Sequence, residues 1–170
     1  MITKLLYALL AGLFLLPLLS SCEKKKYPED EHRSWHSSCW RLKGKWKIDK
    51  IVYNGNDITS TYNDTLTPYS ANDFIFDIRF GADVGVRDKK NMVFITTVNQ
   101  NQIGNIEFYI DPKIDRMGFS KASDFQNIED PLSYQKITNT LFNYWNVKKL
   151  YNKQLHIQSI NTSYDLYFKQ

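Results

Sequence analysis

Helical periodicity is the first thing this chain lacks. Past its opening stretch, no long window keeps apolar residues three and four apart, which argues against a mainly helical fold. Long apolar runs are equally scarce: there is a single one, near the N-terminus, too short and too lightly flanked for a membrane-spanning helix. No charge sign dominates, since 22 Lys and Arg face 18 Asp and Glu for a formal net charge of +4. No basic stripe follows any expected element, so the composition excludes a nucleic-acid binder. Cysteine is limited to two residues, Cys22 and Cys39, and there is no internal repeat.

What is present begins with a secretory signal over residues 1–21. Lys4 is its basic n-region, and Leu5 to Leu19 form an apolar h-region broken near its end by Pro17. The run closes on Leu19-Ser20-Ser21-Cys22, which resembles the lipobox of bacterial lipoproteins. That resemblance implies that the Cys22 thiol takes a diacylglyceryl group and becomes the acylated first residue. Each buried methylene contributes about 0.8 kcal/mol, so two or three acyl chains hold far more firmly than one. The plain alternative is an ordinary signal cut before a chance cysteine. With Cys22 acylated, Cys39 has no intrachain partner, and its neighbours Trp35 and Trp40 suggest a buried thiol. The implied partner is a membrane, reached through the N-terminal lipid. The expected address is the outer membrane. Glu23-Lys24-Lys25-Lys26 puts no acidic cluster directly after the cysteine, which favours the periplasmic face over the cell surface.

Residues 22–34 are charged, carry Pro28 and hold almost no apolar side chains, as expected of a lipidated flexible tether. From residue 35 to 170 the character changes to short alternating runs. Phe74, Phe76, Ile78 and Phe80 alternate with Ile75, Asp77 and Arg79. Ile106, Phe108 and Ile110 alternate with Glu107 and Tyr109, Leu155 and Ile157 with His156 and Gln158, and Tyr164, Leu166 and Phe168 with Asp165 and Tyr167. Met92 to Val98 reads as a further strand. Turn signals fall at Asn54 to Asp57, Gly81 to Gly85, Asn99 to Gly104, Asp111-Pro112 and Asn161 to Ser163. Seven or eight strands at hairpin spacing predict an all-β fold, a single antiparallel barrel of about eight strands. One short helix is expected within Ser120 to Thr138.

Leu42-Lys43-Gly44-Lys45-Trp46 looks like the Gly-x-Trp opening of lipocalin-type barrels. More closely, the chain resembles the lipocalin-like lipoproteins of bacterial envelopes. The matching parts are Gly44 and Trp46, the Asn-Gly-x-Asp-hydroxyl turn from Asn54 to Thr59, the Trp145 strand, and two closing strands, Gln154 to Ile160 and Ser163 to Lys169. Two departures stand out: only Lys169 follows where lipocalins carry an arginine, and no disulfide pair is available. Physically, glycine lets the chain turn tightly into the barrel floor and the Trp plugs that end.

The remaining candidates are weaker. Strict alternation from Trp46 and Ile48 turns Lys50 into the lumen, where an ammonium needs a partner such as a ligand carboxylate. A bulge would instead flip the parity, send Lys50 to water and put Ile51 inside. His32, His36 and Cys39 have a spacing that zinc or copper could use, but no fourth ligand stands nearby. Asp111 and Asp115 lack the oxygen-rich loop calcium requires. No serine elbow and no base matched to Cys39 is found, so no catalytic residue and no cofactor is assigned. Asp64-Thr65-Leu66 looks like a short O-glycan attachment site and reads equally as an Asx turn.

The expected function is that of an envelope lipoprotein whose barrel holds or carries a small, largely apolar ligand without catalysis. Trp46, Lys50, Phe74, Phe76, Phe80, Phe108 and Trp145 are the expected lining. The alternative is a filled barrel that binds glycan or a partner protein through exposed aromatics, with Tyr53, Tyr109, Tyr144, Tyr151 and Tyr167 on the outer face. An open lumen above about 300 Å³ favours the carrier.

Overall fold

The computed structural model describes residues 26–81, 91–97, 102–111, 114–121 and 131–170. The signal, Cys22, the Lys24-Lys25 pair, parts of the expected turns after Phe80, Thr97 and Asp111, and residues 122–130 of the expected helical window lie outside those described.

The alternating runs pair into one antiparallel sheet that closes on itself. Its strands are β1 (Gly44–Tyr53), β2 (Asn56–Asp57), β3 (Phe74–Arg79), β4 (Asn91–Thr97), β5 (Gln102–Asp111), β6 (Arg116–Lys121), β7 (Tyr144–Tyr151), β8 (Gln154–Ser159) and β9 (Tyr164–Lys169). Neighbours follow the order β2-β1-β3-β4-β5-β6-β7-β8-β9, and β1 also pairs with β9. Eight strands therefore make the barrel, with β2 a short addition beside β1. The ten-residue β1 makes the closure by dividing its length. Gly44 to Lys47 pair with β3, and Lys47 to Tyr53 pair with β9. Among the described residues each of the eight barrel strands has a paired neighbour on both sides.

Parity fills the barrel as the alternation predicts. Phe74, Phe76, Ile78, Ile106, Phe108, Leu155, Ile157, Leu166 and Phe168 are buried, and Phe80 packs half-buried against them. Val93, Ile95 and Met117 complete the set. The β1–β9 register slips between Ile48 and Lys50. That bulge puts Ile48 and Ile51 inside and turns Lys50 to solvent, so the inward Lys50 of strict alternation is corrected.

The helices are few. α1 (Ser38–Leu42) and α2 (Thr59–Asp64) are five and six residues long, and α3 (Pro131–Leu141) has eleven. Only α3 was foreseen, because a five- or six-residue helix shows no measurable period. It buries Tyr134, Ile137 and Leu141 against the barrel. Gly44, at φ 126°, turns the chain from α1 into β1, a conformation side-chain-bearing residues rarely adopt. Asn54 and Gly55, at φ 51° and 78°, form the tight β1–β2 turn. Asp57 Oδ1 then accepts from the Thr59 amide at 3.0 Å and its hydroxyl at 2.6 Å, while Thr59 Oγ1 accepts from Ile51 N at 2.9 Å. These Thr59 bonds, with Lys50 a smaller contributor, hold the Asp57 carboxyl below its usual range. The Asn-Gly-x-Asp-hydroxyl pattern is thus a hairpin clasped to the start of α2.

Candidate functional site

The lumen is packed. A void of about 10 Å³ lies in it, bounded by Trp46, Phe76, Ile78, Val93, Phe119, Leu141, Leu155 and Phe168. A single water needs roughly 10–15 Å³. Phe76 meets Phe168 edge-on at 5.8 Å, and Phe80 meets Phe108 at 5.4 Å. Trp46 and Trp145 are 1% and 0% exposed. The structure therefore gathers Trp46, Phe74, Phe76, Phe80, Phe108 and Trp145 as core rather than as the wall of an open cavity. Lys50 stands outside, 3.6 Å from Asp57 and over the Tyr167 ring.

Concave space lies outside the barrel, toward the two ends of β7. At its start is a groove of about 410 Å³ lined by Tyr109, Phe119, Ser120, Lys121, Phe142, Asn143, Tyr144 and Asn161. Gly118 makes it. In the ladder Tyr109 pairs with Gly118, which pairs in turn with Tyr144, so both rings project outward from strands flanking a residue with no side chain. A Cβ on Gly118 would sit 2.4 Å from Tyr109 Cε1. The rings meet at 5.9 Å and 61°, with Tyr109 42% and Tyr144 54% exposed. Partial burial, then the neighbouring Tyr144, raises the Tyr109 phenol above its ordinary value. Asn143 holds the rim, donating to Ser159 Oγ at 2.7 Å and accepting from Tyr144 N at 2.8 Å.

At the other end of β7 a groove of about 590 Å³ lies among Ser34, His36, Trp40, Arg41, Lys43, Tyr151, Asn152, Lys153 and Gln170, with Trp46 and Leu150 at its base. His36 stacks on Trp40 at 3.8 Å, and His32 meets Tyr151 edge-on at 6.4 Å. Both histidines face aromatic rings. Among the described residues no group of three His, Cys, Asp or Glu side chains is placed to hold a metal.

The segment read as a flexible tether is partly a packed strap. Tyr27 is 0% and Asp30 3% exposed. The Asp30 carboxylate accepts from Leu150 N at 2.7 Å, from Arg41 Nη1 at 3.0 Å and from Tyr27 N at 3.2 Å. The Tyr27 hydroxyl donates to Ser38 Oγ at 2.9 Å, and Glu29 N to the Lys148 carbonyl at 2.8 Å. His156, whose parity sends it outward, is covered by this strap. Its ring nitrogens face Glu29 Oε2 at 2.7 Å and Asp165 Oδ1 at 3.0 Å, and it stacks on Tyr167.

Other expectations change here. Cys39 is disulfide-bonded and half-buried, which corrects the reading of a buried thiol without an intrachain partner; Cys22, the other cysteine, lies outside the described residues. The flanking Trp35 and Trp40 are exposed, so they do not bury it. Thr65 is exposed at the end of α2, and its hydroxyl donates to the Tyr62 carbonyl at 2.7 Å. Asp115 sits at φ 55° in the turn before β6.

The chain matches no family model, no curated protein and no solved structure. Among the described residues no helix is long and apolar enough to cross a membrane.

Sequence reasoning missed Asp30, Arg41 and Gly118. Asp30 looked like one acid in a charged linker, and Arg41 carried no local signal. Gly118 had a usable signal, because a glycine between two apolar residues of a strand marks a close approach.

Proposed function

We propose that this protein is a non-catalytic module of the bacterial cell envelope that binds glycan through the aromatic patch of Tyr109 and Tyr144. The observation that carries this is the contrast between a lumen void of about 10 Å³ and an outer groove of about 410 Å³. A carried ligand would have to displace Phe76, Phe168 and their neighbours, and close-packed cores resist even one added methylene. The outer groove needs no displacement. Its two tyrosine rings offer flat apolar faces to the C–H face of a sugar, and Asn161 and Ser120 offer polar groups to hydroxyls. The envelope address rests on the secretory signal over residues 1–21; Cys39 is disulfide-bonded and Cys22 is the one other cysteine of the chain, so acylation of Cys22 is not proposed. The likeness to lipocalin-like lipoproteins supports an envelope role, with the lumen given over to packing.

The test is a titration of the mature protein with soluble oligosaccharides cut from its own envelope, followed by amide NMR shifts. Shifts are expected at Tyr109, Gly118, Asn143, Tyr144 and Asn161, and are expected to vanish in Tyr109→Ala/Tyr144→Ala. The apolar dye N-phenyl-1-naphthylamine is expected not to bind. Dye uptake with shifts at Phe76 and Phe168, and none in the outer groove, would return the carrier reading.

A further inference from the structure

Besides the Asp30 clasp the strap has a second hold on the barrel, and that one contains a titratable ring. We propose that the contact of His156 with Glu29 and Asp165 is a proton-operated latch, which holds the strap tighter in acid than at neutral pH and above. It is independent of the Tyr109–Tyr144 patch.

Hydrogen-bond arithmetic carries the argument. His156 Nδ1 faces Glu29 Oε2 at 2.7 Å, and Nε2 faces Asp165 Oδ1 at 3.0 Å. Ionised carboxylates only accept; a neutral imidazole has one N–H to give and an imidazolium has two. With the ring neutral, one nitrogen lone pair is left facing a carboxylate oxygen, in a place where His156 is only 6% exposed. With the ring protonated, both contacts are charge-assisted hydrogen bonds, the stronger kind. His156 and Asp165 lie on paired strands, β8 and β9, whereas Glu29 belongs to the strap. Proton and closed strap therefore favour one another, and by linkage the strap loosens as the proton leaves.

The surroundings agree in sign. Tyr167 of β9 stacks on the imidazole at 4.1 Å. Burial first, then Asp165 and Glu29, raise its phenol above the ordinary value, so both carboxylates act at this spot as negative charge. The cations facing it are Lys149 on β7, the ladder partner of His156, and Lys50 on β1, over the Tyr167 ring at 5.8 Å. An ammonium ordinarily titrates at about 10.4, well outside the imidazole range, so neither supplies a switch there. The Asp30 clasp on Arg41 and Leu150 contains no imidazole; it sets the hold that this range of pH leaves alone. What opening bares is Tyr27, now fully buried, whose hydroxyl would leave Ser38 at the start of α1.

The experiment is amide hydrogen exchange of the mature protein, read on residues 27–31 and corrected for the intrinsic pH dependence of exchange, with β4 and β5 as internal reference. Imidazole changes charge between about pH 8 and about pH 5. Over that interval strap protection should rise about tenfold relative to the reference, the scale of one charge-assisted hydrogen bond to a half-exposed acceptor. Glu29→Gln decides the cause. Its amide can donate to a neutral Nδ1 while the Nε2 hydrogen serves Asp165, so this variant should keep its strap protected at both ends of the interval. His32→Gln and His36→Gln, which remove the other two histidines of the chain, should leave the wild-type rise intact. Equal protection of the wild type at both ends, a rise that survives Glu29→Gln, or a rise lost with His32 or His36 overturns the latch.

Discussion

The indole Nε1 of Trp46 donates to the carbonyl oxygen of Leu42, four residues earlier, at 2.7 Å. Trp145 repeats the contact on Leu141 at 2.9 Å. Each leucine is the last residue of a helix, α1 and α3. Each indole thus satisfies one of the carbonyls a helix end leaves over, while its ring fills the barrel. Trp46→Ala should therefore cost about 3–5 kcal/mol through the lost aromatic volume. Trp46→Phe, which keeps a ring and leaves the Leu42 carbonyl unpaired, should cost about 1–3 kcal/mol. Urea unfolding of both variants tests the ranking; an unchanged stability in Trp46→Phe would mean the hydrogen bond contributes nothing, and equal losses would mean the ring volume contributes nothing.

Asp30→Ala should cost about 3–5 kcal/mol, because it strands the buried Arg41 guanidinium and the Leu150 amide. The strap should then open, exposing residues 27–34 to limited proteolysis before the barrel unfolds. Cleavage of variant and wild type at the same rate would show the strap to be loose already.

Gly118 and Gly104 make a matched pair of tests. A Cβ on Gly104 would lie 2.3 Å from Tyr134 Cε2, and one on Gly118 would lie 2.4 Å from Tyr109 Cε1. The distances are alike, but Tyr134 is held buried on the inner side of α3 while Tyr109 is partly exposed and can swing aside. Gly104→Ala should cost about 1–3 kcal/mol by forcing α3 away from β5. Gly118→Ala should stay within about 1 kcal/mol of wild type and still abolish oligosaccharide binding. Retained binding in Gly118→Ala would remove the patch from the mechanism.

Alkaline pH should unfold the domain. Burial raises the phenols of Tyr27, Tyr62 and Tyr134 above the usual 10.0. The fold therefore keeps these protons longer than the unfolded chain does. Its stability is complete below pH 10 and falls as pH climbs past it, because the unfolded chain ionises first. Absorbance at 295 nm should show a group of tyrosines ionising only together with loss of the near-ultraviolet dichroism. Smooth titration of every tyrosine in a folded protein would contradict their burial.

Period-two alternation was enough, from residues alone, to name the inward side of β3, β5, β8 and β9. Each carries polar residues at the opposite parity, and those can face water only one way. The Asn54-Gly55 turn and the glycine at position 44 were legible for an equally local reason, since few other residues accept their backbone angles. Whether the barrel is open was not legible. Five phenylalanines on inward faces fit an open or a filled lumen equally well, and their summed volume decides only once closure sets the diameter. Lys50 went outward because a single bulge between β1 and β9 reversed the count, and a bulge is a property of two strands in register. Asp30, read as part of a tether, and Arg41 became a buried pair because β7 offered the Leu150 amide to the same carboxylate. The Tyr109–Tyr144 patch exists only across Gly118, where three strands meet. Local conformation is written in neighbouring residues; cavity, strap and patch are set by contacts between residues distant in the chain.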